Sequence, residues 1–322
     1  MKYIAVLASI FLCFGVVRAQ NSSSYYISTI TAGTNGVIFM GTYDHDAMTS
    51  RLYRSTTDGI TWDSVASFSG DVIQIVEKPH GSMFVCTLGG ENSVYTSRDS
   101  GRSWSAANNG IAGSFITGLT IAPNGDLFAS ENSKGLYRTT NNGGAWQRVE
   151  GGLPHDQVFD VCVNKSGYIF ASMPKDGLYI SHDNGGTWEK STLPQANDAV
   201  IALAAGPKGE VYGATLKTII VSDDNGASWQ VVCQKSNGPG ETQLLALDDG
   251  TLLIRSMSEG VFRSADGGAT WHKVIDRRGV GNLLCADVSP DGYVFVGTGD
   301  GAVFRSGDKG EHWELVENAG LK

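Results

Sequence analysis

The chain has 322 residues, with 24 Lys and Arg against 33 Asp and Glu and a net charge of −9. An acidic chain without a Lys/Arg run is a poor partner for nucleic acid or anionic lipid, so both classes are set aside. Glycine is abundant at 42 residues and proline scarce at 8, which fits a turn-rich all-β protein better than a disordered one.

The chain opens with Met1-Lys2, an almost wholly apolar stretch from Tyr3 to Val17, and Ala19 ahead of Gln20. This reads as a secretory signal peptide, residues 1–19, cut near Ala19 and too short to span a membrane. Cys13 follows Leu12, where a lipoprotein signal would need a small residue, so a lipid anchor is disfavoured. The expected mature chain, residues 20–322, carries a net charge of −11 and no membrane span. It is expected to be secreted or held in the periplasm or cell envelope.

From Ser55 onward one eight-residue pattern recurs: STTDGITW, SRDSGRSW, TTNNGGAW, SHDNGGTW, SDDNGASW, SADGGATW and SGDKGEHW. All seven tryptophans of the chain close a copy: Trp62, Trp104, Trp146, Trp188, Trp229, Trp271 and Trp313. They are spaced 42, 42, 42, 41, 42 and 42 residues apart. Such a fixed period marks a repeat architecture. Each repeat holds four short runs rich in Val, Ile, Phe and Tyr, bounded by Gly, Asn, Asp or Pro, which reads as four strands joined by hairpins. Four antiparallel strands repeated radially make the blade of a β-propeller. The spacing therefore predicts an all-β, seven-bladed propeller that uses the whole mature chain as one domain. The chain starts and ends at one phase of the repeat, since Val316 to Leu321 echoes Val149 to Leu153. Each blade is therefore expected to come from one continuous segment, with no strand exchanged to clasp the first blade to the last.

Cys86, Cys162, Cys233 and Cys285 fall at different phases of four repeats, so they read as small buried hydrophobes rather than disulfide partners. No Cys/His spacing suggests zinc, and the turns offer too few carboxylates for calcium. No metal and no cofactor is expected.

In the eight-residue turn, a Ser or Thr hydroxyl and an Asp carboxylate can bond nearby backbone N–H groups. Glycine at the fifth position allows a positive φ, and the tryptophan buries a large ring between sheets. The pattern resembles that of the BNR or Asp-box repeat proteins, over essentially the whole mature chain. That family includes sialidases, xyloglucan-cleaving enzymes, sortilin-type receptors and photosystem II assembly-factor propellers. The third position is Asp99, Asp183, Asp224, Asp266 and Asp308 in five copies and Asn141 in another. In the first copy Thr57 stands there and Asp58, one place later, is expected to serve instead, so these two turns are expected to be held more weakly.

The resemblance implies a propeller but not an activity, because a shared fold hosts many functions. A sialidase would need three arginines, a Tyr–Glu pair, an Asp and an Arg-Ile-Pro stretch, and that stretch is absent. Arg54, Arg138, Arg263 and Arg305 occupy one equivalent position in four repeats, which favours a structural role. Xyloglucan-cleaving relatives pair two propellers, whereas this sequence holds one. No catalytic residue is assigned.

Individual character is expected on the face formed by the hairpins between second and third strands and by the links between blades. The largest departure is Gly41 to Arg51, about five residues longer than its counterparts. It supplies Tyr43, Asp44, His45, Asp46 and Arg51 as candidate ligand-binding residues. Lys175, Arg255, Glu259 and Asp300 join them from other blades. Further non-repeating residues there are Glu91, Asn92, Glu131, Lys134, Asp176 and Lys217, with His155, Asp156, Asp198, Arg277 and Arg278 between blades. The expected function is a non-enzymatic, exported binding or assembly module, monomeric, whose loop face holds a protein or a carbohydrate. The alternative is a sialidase-type glycoside hydrolase with an unrecognised catalytic set.

Overall fold

In a computed structural model the described residues are 25–33, 36–78, 81–113, 115–154, 157–195, 199–234, 242–257, 259–276 and 281–316. Residues 1–19, expected from the sequence to be a signal peptide, and the candidates His155, Asp156, Asp198, Arg277 and Arg278 lie outside them, as does the repeat of Val149 to Leu153 beyond Val316. The protein is a seven-bladed β-propeller of four-stranded antiparallel sheets. The blades run over Tyr25–Ser69, Asp71–Ala106, Ile116–Arg148, Asp160–Lys190, Val200–Gln234, Thr242–Asp276 and Leu283–Val316. Within each, the strands follow in sequence order from the central channel outward. Among the described residues no blade borrows a strand, as the phase of the repeat predicts.

Second strands are buried along their whole length, as in Leu127–Glu131, Ile169–Met173, Val211–Thr215 and Val294–Thr298. Both of their faces meet a neighbouring sheet, which is why their sequence does not alternate. Seven hydrophobic clusters fill the seven seams between blades, and each takes in one of the tryptophans. Five phenylalanines of these seams sit at one register position, the second residue of the second strand: Phe39, Phe84, Phe128, Phe170 and Phe295 are at most 2% exposed.

The eight-residue turns lock these seams. The first-position hydroxyl accepts the N–H of the fifth-position glycine in all seven, at 2.7–3.2 Å. The third-position side chain accepts the N–H four residues on, as in Asp183 to Thr187 at 2.8 Å. Asn141 does the same for Ala145 at 2.9 Å, so its turn keeps the bond. In the first copy Thr57 takes this role, with its Oγ1 accepting the Thr61 N–H at 2.9 Å. Asp58 does not replace it, because Asp58 occupies the next position of the turn, where the backbone is left-handed at φ +51°. The sequence reading missed that the fourth position is left-handed in every copy. Asp58, Ser100, Asn142, Asn184, Asn225, Lys309 and Gly267 all have positive φ there.

A second set of pins joins innermost strands across the seams. The Gln74 amide oxygen accepts the Leu119 N–H at 2.6 Å. Asp160 accepts that of Leu203 at 2.7 Å and Gln243 that of Ala286 at 3.1 Å. All three acceptors stand opposite the fourth residue of their own second strand. They tie blade 2 to 3, 4 to 5, and 6 to 7. At the same register the other blades carry Thr29, Gly118, Ala202 and Cys285. All four cysteines of the propeller are free thiols, and burial pushes the Cys285 thiol up to about 12.

Candidate functional site

The face opposite the eight-residue turns carries the hairpins between second and third strands. In blades 3, 4 and 6 these close at once, at the pairs Glu131↔Gly135, Met173↔Gly177 and Ser256↔Gly260, while in blade 2 the last pair is Cys86↔Val94. In blade 1 the ladder instead continues outward to the pair Asp44↔Thr49, leaving only His45 to Met48 as turn. The extra length expected as loop is therefore mostly strand. Asp44 makes the turn: its Oδ1 accepts the N–H of Asp46 at 2.9 Å and of Ala47 at 3.1 Å, the local bonding that Asp favours in turns.

Tyr43 is packed rather than displayed, at 8% exposure. Its ring lies 5.6 Å from that of Tyr26 and 5.2 Å from that of His45, which also stands 5.2 Å from Tyr26. The Tyr43 hydroxyl meets the Met48 sulfur at 3.4 Å. Behind this trio lies Asp71, 4% exposed, whose Oδ2 accepts the Tyr26 hydroxyl at 2.5 Å. Burial raises the Asp71 pKa to about 6 against the opposing pull of the Tyr26 and Ser28 hydroxyls. Its Oδ1 is buried without a hydrogen-bond partner among the described residues. Tyr26, Met48 and Asp71 were not singled out in the sequence. Asp71 and Tyr26 lie 45 residues apart, and only the curvature of the ring brings them together.

Arg51 is exposed within the third strand, opposite Thr42. The remaining candidates do not join this cluster. Lys175 is exposed in the blade 4 hairpin. Arg255 reaches into the seam, donating to the Gln243 amide oxygen at 3.2 Å and to the Leu283 carbonyl at 2.7 Å. Glu259 precedes the third strand of blade 6, and Asp300 accepts the Thr298 hydroxyl in the blade 7 hairpin. Glu131 is 2% exposed and holds its own turn through the Ser133 N–H at 2.7 Å.

Exposed large hydrophobes are unevenly shared between the faces. Met48 (65%), Phe115 (40%) and Leu216 (42%) lie on the hairpin and linker face, Ile60 (59%) on the other, and Leu315 (55%) on the outermost strand of blade 7. The equivalent arginines serve the opposite side. Arg138 pairs with Asp126 at 2.5 Å, Arg263 donates to the Lys309 carbonyl at 3.1 Å, and Arg305 donates to the Asp58 carbonyl at 2.8 Å.

Residues 103–242 match the DUF6242 β-propeller domain. Comparison with curated proteins gives no match. Among solved structures, the chain is similar to the GH74 xyloglucanase of Xanthomonas campestris, with a TM-score of 0.71 at 15% identity. That likeness covers 91% of this chain and 55% of the xyloglucanase. YCF48 from Cyanidioschyzon merolae superposes with a TM-score of 0.66 at 15% identity over 88% of this chain and 96% of its own. A YCF48 structure with a bound D1 peptide gives 0.65 at 16% identity, over 89% and 95%. The extracellular domain of a protein described as a one-component system of B. thetaiotaomicron gives 0.67 at 14% identity, covering 89% of this chain and 39% of that one. The chain thus spans about half of the xyloglucanase and less of the extracellular domain. At these identities the likeness is one of fold. Among the described residues no helix is long and apolar enough to cross a membrane.

Proposed function

We propose that this chain is an exported, non-enzymatic Asp-box propeller that binds a protein or glycan through its hairpin face. In this reading residues 1–19 are removed on export and residues 20–322 form one domain. One observation carries it: the sevenfold regularity breaks most at the blade 1 hairpin, and three of the five exposed large hydrophobes among the described residues stand on that side. Rigid scaffolds commonly place binding residues on such departures. That YCF48, a propeller of similar size, has been seen with a peptide lends the reading support.

The polar candidates for a hydrolase are spent on structure. Asp44 caps its own turn, Asp300 takes a hydroxyl of its own hairpin, and Arg255 is bonded into the seam. The test is a hydrolysis screen of residues 20–322 on fluorogenic glycosides, sialosides included, beside a binding screen on glycan and peptide arrays. Binding without turnover is expected. Turnover abolished by Asp44→Asn or Asp300→Asn, but not by Arg138→Lys, would sink the reading.

A further inference from the structure

Seven asparagines of the chain stand directly before a glycine: Asn35, Asn109, Asn124, Asn142, Asn184, Asn225 and Asn237. Such a pair invites self-cyclisation, because a glycine nitrogen has no side chain beside it to shield it from the asparagine Cγ. Asn35 and Asn237 lie outside the described residues, which leaves five pairs to compare.

Four of the five are locked. Three stand in the eight-residue turns, where Gly143, Gly185 and Gly226 are buried and give their N–H to the first-position hydroxyl. Gly185 donates to Ser181 and Gly226 to Ser222, both at 2.7 Å, and Gly143 to Thr139 at 3.2 Å. Asn142 and Asn225 are held by their side chains as well, their Oδ1 accepting Lys78 Nζ at 2.6 Å and Asn164 Nδ2 at 2.7 Å. In the fourth pair the Gly125 N–H goes to the Ala122 carbonyl at 2.8 Å, and both ends of the Asn124 amide are bonded to Asp126. A bonded N–H must leave its acceptor before its nitrogen can attack, so these four need a local opening first.

Asn109 and Gly110 differ. They are the central residues of a turn closed by the Ile111 N–H on the Asn108 carbonyl at 3.1 Å, with Gly110 at φ +93°. Such a turn bonds its first carbonyl to its fourth N–H and asks nothing of the third. Among the described residues the Gly110 N–H has no acceptor, and both residues are exposed. The glycine is required, since a Cβ there would stand 2.3 Å from the Trp146 carbonyl oxygen. The asparagine is not required by the backbone. Its carbonyl accepts the Trp146 N–H at 2.8 Å, and one repeat later Gly151 does the same for Trp188 at 2.8 Å. Its Nδ2 donates to the Gly144 carbonyl at 3.2 Å, at the surface.

We propose that Asn109 is a site of spontaneous deamidation, while the other four pairs are protected by the fold. The Gly110 nitrogen gives its proton to water and bonds to Asn109 Cγ. The Cγ–Nδ2 bond breaks, the amine leaves as ammonia, and a succinimide closes. Water then opens the ring, at Cγ to give aspartate or at the Asn109 main-chain carbonyl carbon to give isoaspartate. Either product replaces the donor to Gly144 with a carboxylate. Isoaspartate also routes the main chain through Cβ and Cγ, so the carbonyl that holds the Trp146 N–H leaves the main chain. Ala107 and Trp146 belong to the cluster between blades 2 and 3, and this is the seam that the reaction loosens. The reaction does not depend on what the hairpin face binds.

The test is to age residues 20–322 at mildly alkaline pH and body temperature and to follow each pair by peptide mass spectrometry. Asn109 and Asn124 share one tryptic peptide, between Arg102 and Lys134, so fragment spectra assign the site. Asn109 is expected to convert at least about tenfold faster than Asn124, Asn142, Asn184 and Asn225, the population factor that one retained hydrogen bond supplies. In urea the five rates should converge. Ser181→Ala frees the Gly185 N–H and should speed conversion at Asn184 by about tenfold. Asn109→Gly, which copies Gly151, should abolish conversion at that site in a chain that still folds. Converted protein, separated by its added negative charge, should melt below unconverted protein. The proposal fails if Asn109 converts no faster than the asparagines of the eight-residue turns in the folded chain, if the same ranking persists in urea, or if converted and unconverted chains melt alike.

Discussion

The Arg305 guanidinium of blade 7 donates to the Asp58 carbonyl of blade 1 at 2.8 Å, across 247 residues of chain. Asp58 offers that carbonyl because its backbone is left-handed, so the turn of one blade is shaped to be gripped by the strand of another. The same guanidinium pairs with Glu314 at 2.5 Å and lies over the Tyr293 ring. With Asp287 accepting the Ala32 N–H at 3.1 Å, it ties blade 7 to blade 1 over the packed cluster of the closing seam.

Arg305→Ala is therefore expected to cost about 1–3 kcal/mol, the range for a hydrogen bond from a charged donor. Arg305→Lys should recover little, since a point charge cannot serve the carbonyl and Glu314 together. Denaturant unfolding measures both. Equal midpoints for wild type and Arg305→Ala would show that packing alone holds the seam.

In the first turn Thr57→Ala should cost about 1 kcal/mol by leaving the Thr61 N–H without its acceptor. Thr57→Asp should stabilise by a few tenths to about 1 kcal/mol through a charge-assisted bond. Asp58→Asn is expected to leave Tm within about a degree, because the Asp58 side chain does not hold the turn. A large loss in Asp58→Asn with none in Thr57→Ala would reverse the assignment.

Gly101 combines φ +80° with a position where a Cβ would lie 2.5 Å from a ring carbon of Phe39. Gly101→Ala should cost about 2–4 kcal/mol, from left-handed backbone strain and overpacking together. Gly125→Ala, at φ +86° with nothing within 4 Å, isolates the backbone part and should cost about 1–2 kcal/mol. Thermal unfolding of the pair separates the two contributions, and equal losses would mean that the Phe39 ring yields freely.

Two sets of carboxylates set the pH dependence in opposite directions. Burial raises Asp71, Asp160 and Asp287 to about 6, so the folded state binds their protons more tightly and loses stability as pH climbs from about 4 to 6. Hydrogen bonds from the residue four places on lower Asp99, Asp224 and Asp266 to about 2, so their stabilisation is lost as pH falls from about 4 to 2. Tm should peak between about pH 4 and 5. Asp71→Asn should raise stability at pH 7.5 by up to about 3 kcal/mol and leave it nearly unchanged at pH 4. A Tm that rises steadily to pH 8 would contradict this.

The blades were legible because every tryptophan closes a turn and the turns are local: Ser181, Asp183, Gly185 and Trp188 meet within eight residues. The seam pins were not. Gln74 lies 30 residues before Trp104, but Asp160 lies 28 before Trp188, and a bulge between Val72 and Gln74 shifts the register. Thr57 and Asp58 were exchanged because pattern favours the carboxylate, while the backbone decides which of the two faces the N–H. The blade 1 hairpin was found by its length. Its partners Tyr26 and Asp71 come from other strands and could be seen only once the ring was closed.

The pins from Gln74, Asp160 and Gln243 couple the sheets two by two, and seven is odd. Parity leaves one blade as the remainder, and it is blade 1, which joins its neighbours by other means: Ser28 to the Val72 carbonyl on one side and Asp287 to Ala32 on the other. A ring of identical couplings would have to break its own rule somewhere. Here the break coincides with the most extended hairpin among the described residues, so the blade least bound by the repeat is the one most at liberty to diverge.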